Sequence, residues 1–376
     1  MSSPFVYEDP VAPDDIVDRE EQAATLLDRA LSCRNSRIEA PRRYGKTSLV
    51  RKVLHEASDE GRATVYVNFL GVLSADDVAA RIDRAYAESL DGAVRRWFTG
   101  VLRTLRPTVG AGVAPVSVSV SPQPEGQVLL ERLALPRRLH ERTGQRSLIV
   151  FDEFQAVLAA GPSIDQVIRS EIEGHRDVAG YIFSGSHPHL MRDLFANRAR
   201  AFFGQAAPVE LGPLPADALA AHLTERFAAH RRDPGAALGP LLDLVRGHPQ
   251  RAMLCAHHLF EATPSGASAT EDTWAVALDR AWKDARGEIE VLWGNVSFTQ
   301  QRVLAAVAAD VPLAGAEALR RFQLPKSGGT RQAADALEAE GHLVPAETAS
   351  RFSVVDPFLH VWLAAGRRWP GTDGLG

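Results

Sequence analysis

The spacing of apolar positions changes character along the chain. In the first half, short apolar runs alternate with segments whose apolar residues recur at three- and four-residue steps, the rhythm of strands and helices around a parallel sheet. Residues 1–15 are rich in Pro and Asp and read as extended. A helical pattern follows Asp18-Arg19-Glu20-Glu21 through Leu26, Leu27, Ala30 and Leu31, and another runs through Leu49, Val50, Val53, Leu54 and Ala57. Between them Ile38, flanked by Arg37 and Glu39, makes a poor buried strand by itself. Residues 63–69 are β-branched and aromatic and predict a strand, residues 75 to about 106 a long helix, and residues 127–142 another helix. Residues 148–151 form an unbroken apolar run, as in a strand buried on both faces, and residues 179–183 read as a further strand. Val116, Val118 and Val120 alternate with Ser117, Ser119 and Ser121 between Pro115 and Pro122. Residues 113–121 therefore predict an edge strand or hairpin, a sheet extension in preference to a partner surface.

From Pro213 the pattern turns helical, with predicted helices at 216–230, 236–246, 249–261 and 271 to about 293, and a loop at 262–270. Gly247-His248-Pro249-Gln250-Arg251 is a turn that opens a helix with proline near its first position. The last portion carries helical patterns at 299–309, 314–322 and 329–340, then strand-like stretches at 342–345 and 351–355, closed by Asp356-Pro357-Phe358. Three helices and a small hairpin predict a winged helix, whose third helix is the DNA reader in that motif. Here Arg320, Arg321, Lys326 and Arg331 are offset by Glu317, Asp335, Glu338 and Glu340, so an intramolecular or protein contact is favoured over DNA. The predicted division is an α/β core at 1–212, a helical region at 213–293 and a winged-helix domain at 294–376.

Composition bounds this picture without changing it. A chain of 376 residues, 45% hydrophobic and 24% charged, suits two or three globular domains. Its net charge of -5 gives no global attraction to nucleic acid or to an anionic membrane. Cys33 and Cys255 stand in no metal spacing and imply a reduced, cytoplasmic setting. No apolar run approaches the length of a bilayer span, so no membrane partner is expected.

Candidate chemistry sits at two junctions of this pattern. Residues 40–47, Ala40-Pro41-Arg42-Arg43-Tyr44-Gly45-Lys46-Thr47, match G-x-x-x-x-G-K-[ST] except that Ala40 replaces the first glycine, and a helical pattern follows at once from Ser48. Glycine lets backbone close on an anion, and the amides at a helix N-terminus point at phosphate oxygens. Lys46 would then reach the β and γ phosphates, and Thr47 would offer its hydroxyl to Mg²⁺. The second junction is the end of the apolar run, Phe151-Asp152-Glu153-Phe154-Gln155. Function collects at the carboxyl ends of such strands. Asp152 would hold magnesium through water, and Glu153 would polarise the water that attacks the γ-phosphate. After the next strand, Ser186 is the candidate γ-phosphate sensor, with Ser184 second; a plain turn is the alternative. His187 and His189 have a metal-pair spacing but no carboxylate or cysteine close in sequence, which argues against a metal site there.

Together these stretches resemble the archaeal-type ATPases, close to the STAND nucleotide switches and the archaeal origin-recognition ATPases within the AAA+ group. The resemblance rests on the 40–48 loop, the 151–155 acidic strand, Ser184-Gly185-Ser186, Gly247-His248-Pro249 and the closing Asp356-Pro357-Phe358. It implies an AAA+ P-loop sheet core, an all-α lid and a winged helix, with ATP and Mg²⁺ as cofactors. By the same resemblance Arg19 lies beside the adenine, Pro249 and its turn close over the base, and Arg251 stands near a sensor position. Gln205 occupies the place of the arginine in a Tyr-Gly-Arg pattern, leaving Arg198 or Arg200 as substitutes for a trans-acting finger, or slow hydrolysis. The function implied is a Mg-ATP-driven conformational switch. Two alternatives stay open: an ATP-regulated DNA-binding protein, and a scaffold that holds nucleotide with little turnover. Expected partners are ATP and ADP, a protein not identifiable from sequence, DNA on the second reading, and a further copy of the chain.

Overall fold

The computed structural model describes residues 3–89, 127–325 and 328–369; the strand expected at 113–121 and the end of the long helix expected to 106 lie outside them. Five strands, β1 (Ser36–Glu39), β2 (Ala63–Asn68), β3 (Ser147–Asp152), β4 (Ala179–Phe183) and β5 (Ala207–Glu210), form one parallel sheet in the order β2-β3-β4-β1-β5. Every residue of β3 and β4 is buried, which is why both read as strands in the sequence. β1 is interior too, although Ile38 is its one large apolar residue. Arg37 donates to the carbonyl of Ala206 and pairs with Glu39, so the polar side chains of this strand are satisfied where they lie. The sequence pattern did not predict β5: of Ala-Pro-Val-Glu only Val209 is buried, and an edge position tolerates Pro208.

Alternate residues of β3 feed opposite faces. Leu148 and Val150 pack with α1 (Glu20–Leu31) and α2 (Lys46–Asp59), whereas Ile149 and Phe151 pack with α3 (Ala75–Ser89), α4 (Gln127–Leu133), α5 (Leu135–Thr143), α6 (Ile164–Glu173) and α7 (Pro188–Ala196). The single helix expected over 127–142 is two helices. Pro136 has no N–H to continue the ladder, and it sits instead in the first turn of α5, where none is needed. Phe154 is fully buried, with the rings of Phe69, Phe151, Phe183, Phe195 and Phe202 at centroid distances of 4.7–6.4 Å. That packing fixes the Asp152-Glu153 turn at the carboxyl end of the sheet.

Beyond the sheet lie α8 (Ala216–Ala229), α9 (Leu238–Val245), α10 (Pro249–Ala262) and α11 (Glu271–Asn295), close to the predicted spans. A terminal unit follows with α12 (Phe298–Ala308), α13 (Ala316–Phe322), α14 (Gly329–Ala339), the antiparallel pair β6 (Leu343–Pro345) and β7 (Phe352–Val354), and α15 (Pro357–Ala364). One apolar cluster joins the helical region to this unit, and Phe5 enters it from the amino-terminal segment, against Phe227 and Phe260. Helix α14 packs against α7, where Arg192 and Glu338 pair at 3.2 Å, and its Arg331 is matched by Asp335 at 2.7 Å. No described helix is long and apolar enough to cross a membrane.

Candidate functional site

β1 delivers the chain to Ala40, residues 41–45 turn, and α2 begins at Lys46. Gly45 caps that helix with φ +82°, and no atom lies within 4 Å of where a Cβ would stand, so the demand for glycine is conformational. Ala40 has no positive φ, which explains why alanine serves in place of the first glycine; within the loop the left-handed non-glycine residue is Arg43, at φ +67°.

Lys46 is 8% exposed, and its Nζ donates to the carbonyls of Ala40 (3.2 Å) and Pro41 (2.8 Å). Burial pulls this ammonium down to about 8, against the opposing carboxylates of Glu153 and Asp152 and with help from Arg42. The lysine of the loop and the acid pair of β3, more than a hundred residues apart in sequence, therefore lie within electrostatic reach. A pH dependence follows. An unfolded lysine keeps its proton to about 10.5, so between about 8 and 10.5 the unfolded chain binds more protons and ligand-free stability rises with pH; below 8 the penalty of the buried charge is fully present. Denaturant midpoints of wild type and Lys46→Met across this window test it: the advantage of the variant should shrink as pH rises, and a constant difference contradicts the assignment.

The acids are held differently. Asp152 Oδ2 accepts from the Tyr66 hydroxyl at 2.5 Å, across the β2–β3 register, and Oδ1 accepts from the Glu153 amide at 3.0 Å. Burial, then the Asp152 charge, keeps the Tyr66 hydroxyl protonated well above its ordinary range, so it serves as a donor. Glu153 has a left-handed backbone, φ +51°, and its Oε2 accepts from Gln155 Nε2 (2.6 Å) and Ser186 Oγ (2.7 Å). A Cβ on Gly185 would stand 2.1 Å from Gln155 Oε1 and 2.7 Å from Met191 Sδ, so any side chain there would push Gln155 and Met191 from their places beside Glu153 and Ser186. Ser184 is buried below, its carbonyl accepting from the Phe154 amide, and Ser186 is the serine at the cavity. His187 Nδ1 lies 3.1 Å from Gln155 Nε2 and 3.2 Å from Ser186 Oγ, so this ring belongs to the acid cluster and not to a pair with the exposed His189.

A cavity of about 730 Å³ opens in front of these groups. Arg19, Arg42, Arg43, Tyr44, Gly45, Lys46, Thr47 and Ser48 line it from the loop side, Glu153 and Ser186 from the strand ends, and Pro249 with Arg251 from α10. Ala40 and Pro41 contribute the carbonyls under Lys46, and Asp152 stands behind Glu153. Arg19 donates to the carbonyl of Gly212 at 2.6 Å, tying α1 to the start of the helical region. Gln205 donates to its neighbour Phe203, and Arg200 is paired with Asp193 at 2.7 Å; neither these nor Arg198 lines the cavity.

Sequence reasoning named Arg251 and the Asp356 motif but not the contacts that join them, nor Glu288. Arg251 is 1% exposed and forks onto Asp356 at the N-terminus of α15, with Nη2–Oδ2 2.5 Å and Nε–Oδ2 3.1 Å. Its Nη2 also lies 3.4 Å from Glu288 of α11, and the same Glu288 oxygen accepts from Arg43 of the loop. Asp356 in turn caps α15 by accepting from the Phe358 and Leu359 amides. His248, held neutral by burial with its value near 4, packs its ring on Tyr44 at 5.1 Å and accepts from the Arg251 amide. Sequence signals existed only for its position, the helix-opening Gly-His-Pro.

No family model matches the chain, and neither does any curated protein. Solved structures do. A Walker-type ATPase of Pyrococcus abyssi is 17% identical over 96% of this chain and 99% of its own, with a TM-score of 0.69. The ORC2 protein of Aeropyrum pernix, in its ADPNP-ADP complexes, is 17% identical over 97% of each chain with a TM-score of 0.57, and its ADP form gives 0.53 at 17% identity over 94% of each. These matches span nearly the whole of both chains, and the chain, with its parallel sheet, therefore has the AAA+ P-loop fold of these structures.

Proposed function

We propose that the protein binds ATP with Mg²⁺ in this cavity, hydrolyses it slowly to ADP and phosphate, and uses the cycle as a conformational switch. The observation that carries the reading is the convergence of Lys46, Thr47, Glu153 and Ser186 on one cavity at the carboxyl ends of β1, β3 and β4. Lys46 and the amides of the loop receive the phosphates, and Arg19 and Pro249 flank the base. The donor set fits magnesium: Thr47 supplies a hydroxyl at the cavity wall, while both oxygens of Asp152 already accept hydrogen bonds, which suits contact through water. When bound, the ion neutralises charge on the phosphate oxygens. Glu153 is the base, and Ser186 and Gln155 both donate to its Oε2. A γ-phosphate that engages Ser186 removes one of these donors and leaves its place to water.

The ionic series Arg43, Glu288, Arg251 and Asp356 supports the switch. It runs from the phosphate loop through α11 and α10 to the cap of α15. Phosphate competes with Glu288 for Arg43, and a released Glu288 changes the charge around Arg251. On this reading residues 1–212 form the ATPase core, 213–293 the lid and 294–376 a winged helix, whose third helix docks on the core beside the sensor strand. Hydrogen exchange across α15, compared between ADP and a non-hydrolysable analogue, tests the coupling: a nucleotide-dependent change is expected, and identical exchange contradicts it.

The Arg251–Asp356 pair also bears on stability. Burial works against the Asp356 charge, yet Arg251 outweighs it and holds the carboxyl below its ordinary range. Asp356→Ala leaves a buried guanidinium without its fork and should cost about 3–5 kcal/mol. Denaturant titration checks the figure, and a loss under about 1 kcal/mol would mean that Glu288 alone suffices.

A further inference from the structure

A second cluster of ligand-type side chains lies where the amino-terminal segment meets α10 and α11. His257 and Glu261 are one helical turn apart, with Nε2 and Oε1 separated by 3.6 Å, and His258 stands between them in sequence. One donor atom from each of the three falls within 4.8 Å of the others. His258 is 7% exposed; its Nε2 lies 2.8 Å from Asp284 Oδ2, and its Nδ1 is buried without a hydrogen-bond partner. Tyr7 packs its ring 5.1 Å from that of His257 and donates to the same Asp284 oxygen at 3.2 Å.

Two imidazoles, the carboxylates of Glu261 and Asp284 and an unpartnered ring nitrogen make a donor set suited to a cation with directional bonding. We propose that His257, His258 and Glu261 bind a late first-row divalent ion such as zinc, with Asp284 as the outer carboxylate. With the Nε2–H of His258 donating to Asp284, the Nδ1 lone pair is left for the metal, the usual way a carboxylate fixes a ligand tautomer. Ligands one turn apart on a helix share a face and chelate well. Tetrahedral zinc with bonds of about 2.0–2.2 Å wants ligand atoms roughly 3.3–3.6 Å apart. The His257–Glu261 pair already meets this; the two edges to His258 lie within 4.8 Å, and the partly exposed His257 and Glu261 side chains can rotate to shorten them. Imidazole donors favour zinc, nickel, cobalt or copper over magnesium and calcium. The site is distinct from the phosphate end of the cavity and faces the amino-terminal segment. That segment runs from Phe5, in the helical core, to Val11, whose amide donates to Ser48 Oγ of α2 at 3.2 Å. A bound ion at its Tyr7 contact fastens this strap to the helical region.

Titration of the full, nucleotide-free chain with cobalt(II), followed by visible absorption and then by zinc displacement, tests the proposal. One cobalt per chain is expected, with the intense ligand-field bands of four-coordination, displaced by zinc. His257→Ala and Glu261→Gln should each weaken binding by at least about tenfold and Asp284→Asn by a comparable factor, while His189→Ala leaves it unchanged. Circular dichroism confirms that these variants fold, since His257 and Glu261 are partly exposed. No saturable cobalt binding by wild type, or equal affinity in a His257→Ala/Glu261→Gln double variant, overturns the site; in the second case the ion sits elsewhere, for instance at Thr47 and Asp152.

Discussion

Glu153→Gln should retain ATP binding and lose turnover. Glutamine keeps the shape of glutamate and can still accept from Ser186 and Gln155, so the local structure has no reason to change. What it lacks is a carboxylate able to take a proton from water. Positioned general bases contribute about 10²–10⁴-fold, and a loss of that order in steady-state phosphate release, with the affinity for ATP unaltered, is expected. Equal phosphate release by variant and wild type would remove Glu153 from the chemistry. The neighbouring acid separates from it by the same assay: Asp152→Asn should need more magnesium to reach its full turnover, because the role proposed for it is to present oxygen to hydrated metal and not to accept a proton.

Lys46→Ala should lower affinity for ATP by on the order of 100-fold or more, since hydrogen bonds to charged groups contribute about 1.5–3 kcal/mol each. The ammonium is buried and rests on two backbone carbonyls, so exchanging those contacts for phosphate oxygens adds little desolvation cost. The direction of the Lys46 shift adds a second readout. Phosphate charge raises its proton affinity, so above about pH 8 binding takes up a proton and weakens as pH increases. Calorimetry in buffers of different ionisation enthalpy detects that proton. Its absence in wild type at pH 9, or unchanged affinity in the variant, would contradict the role of this lysine.

The parts of this molecule that were legible in its sequence are those in which a local pattern and a local need coincide. β3 and β4 are buried on both faces and could be apolar throughout; Gly45 was required by its own backbone angle; the helices of residues 216–339 carry their periodicity within single turns. β1 and β5 were poorly visible because their polar residues are satisfied by partners elsewhere, Arg37 by Ala206 and Glu39, or lie on an exposed edge. The break at residue 134 could have been found from Pro136 alone, had its missing N–H been given more weight than the apolar spacing on either side. The acid pair was legible, its restraint was not. Ser186 meets Glu153 from the end of the next strand, 33 positions on, and Glu288 joins Arg43 across 245 positions of chain, distances over which spacing rules carry no information.

The charged face of α14 illustrates the same limit from the other side. Its balanced charge favoured an intramolecular or protein contact over DNA without naming the partner; in the fold its Glu338 pairs with Arg192 of α7, so that part of the face is already occupied.

The most direct measurement is a structure of the chain with magnesium and a non-hydrolysable ATP analogue. The account predicts that Lys46 Nζ leaves the carbonyls of Ala40 and Pro41 and lies within about 3 Å of phosphate oxygen, with Ser186 turned from Glu153 toward the γ-phosphate. Nucleotide bound away from the loop, or a Lys46 still resting on both carbonyls beside bound phosphate, would contradict it.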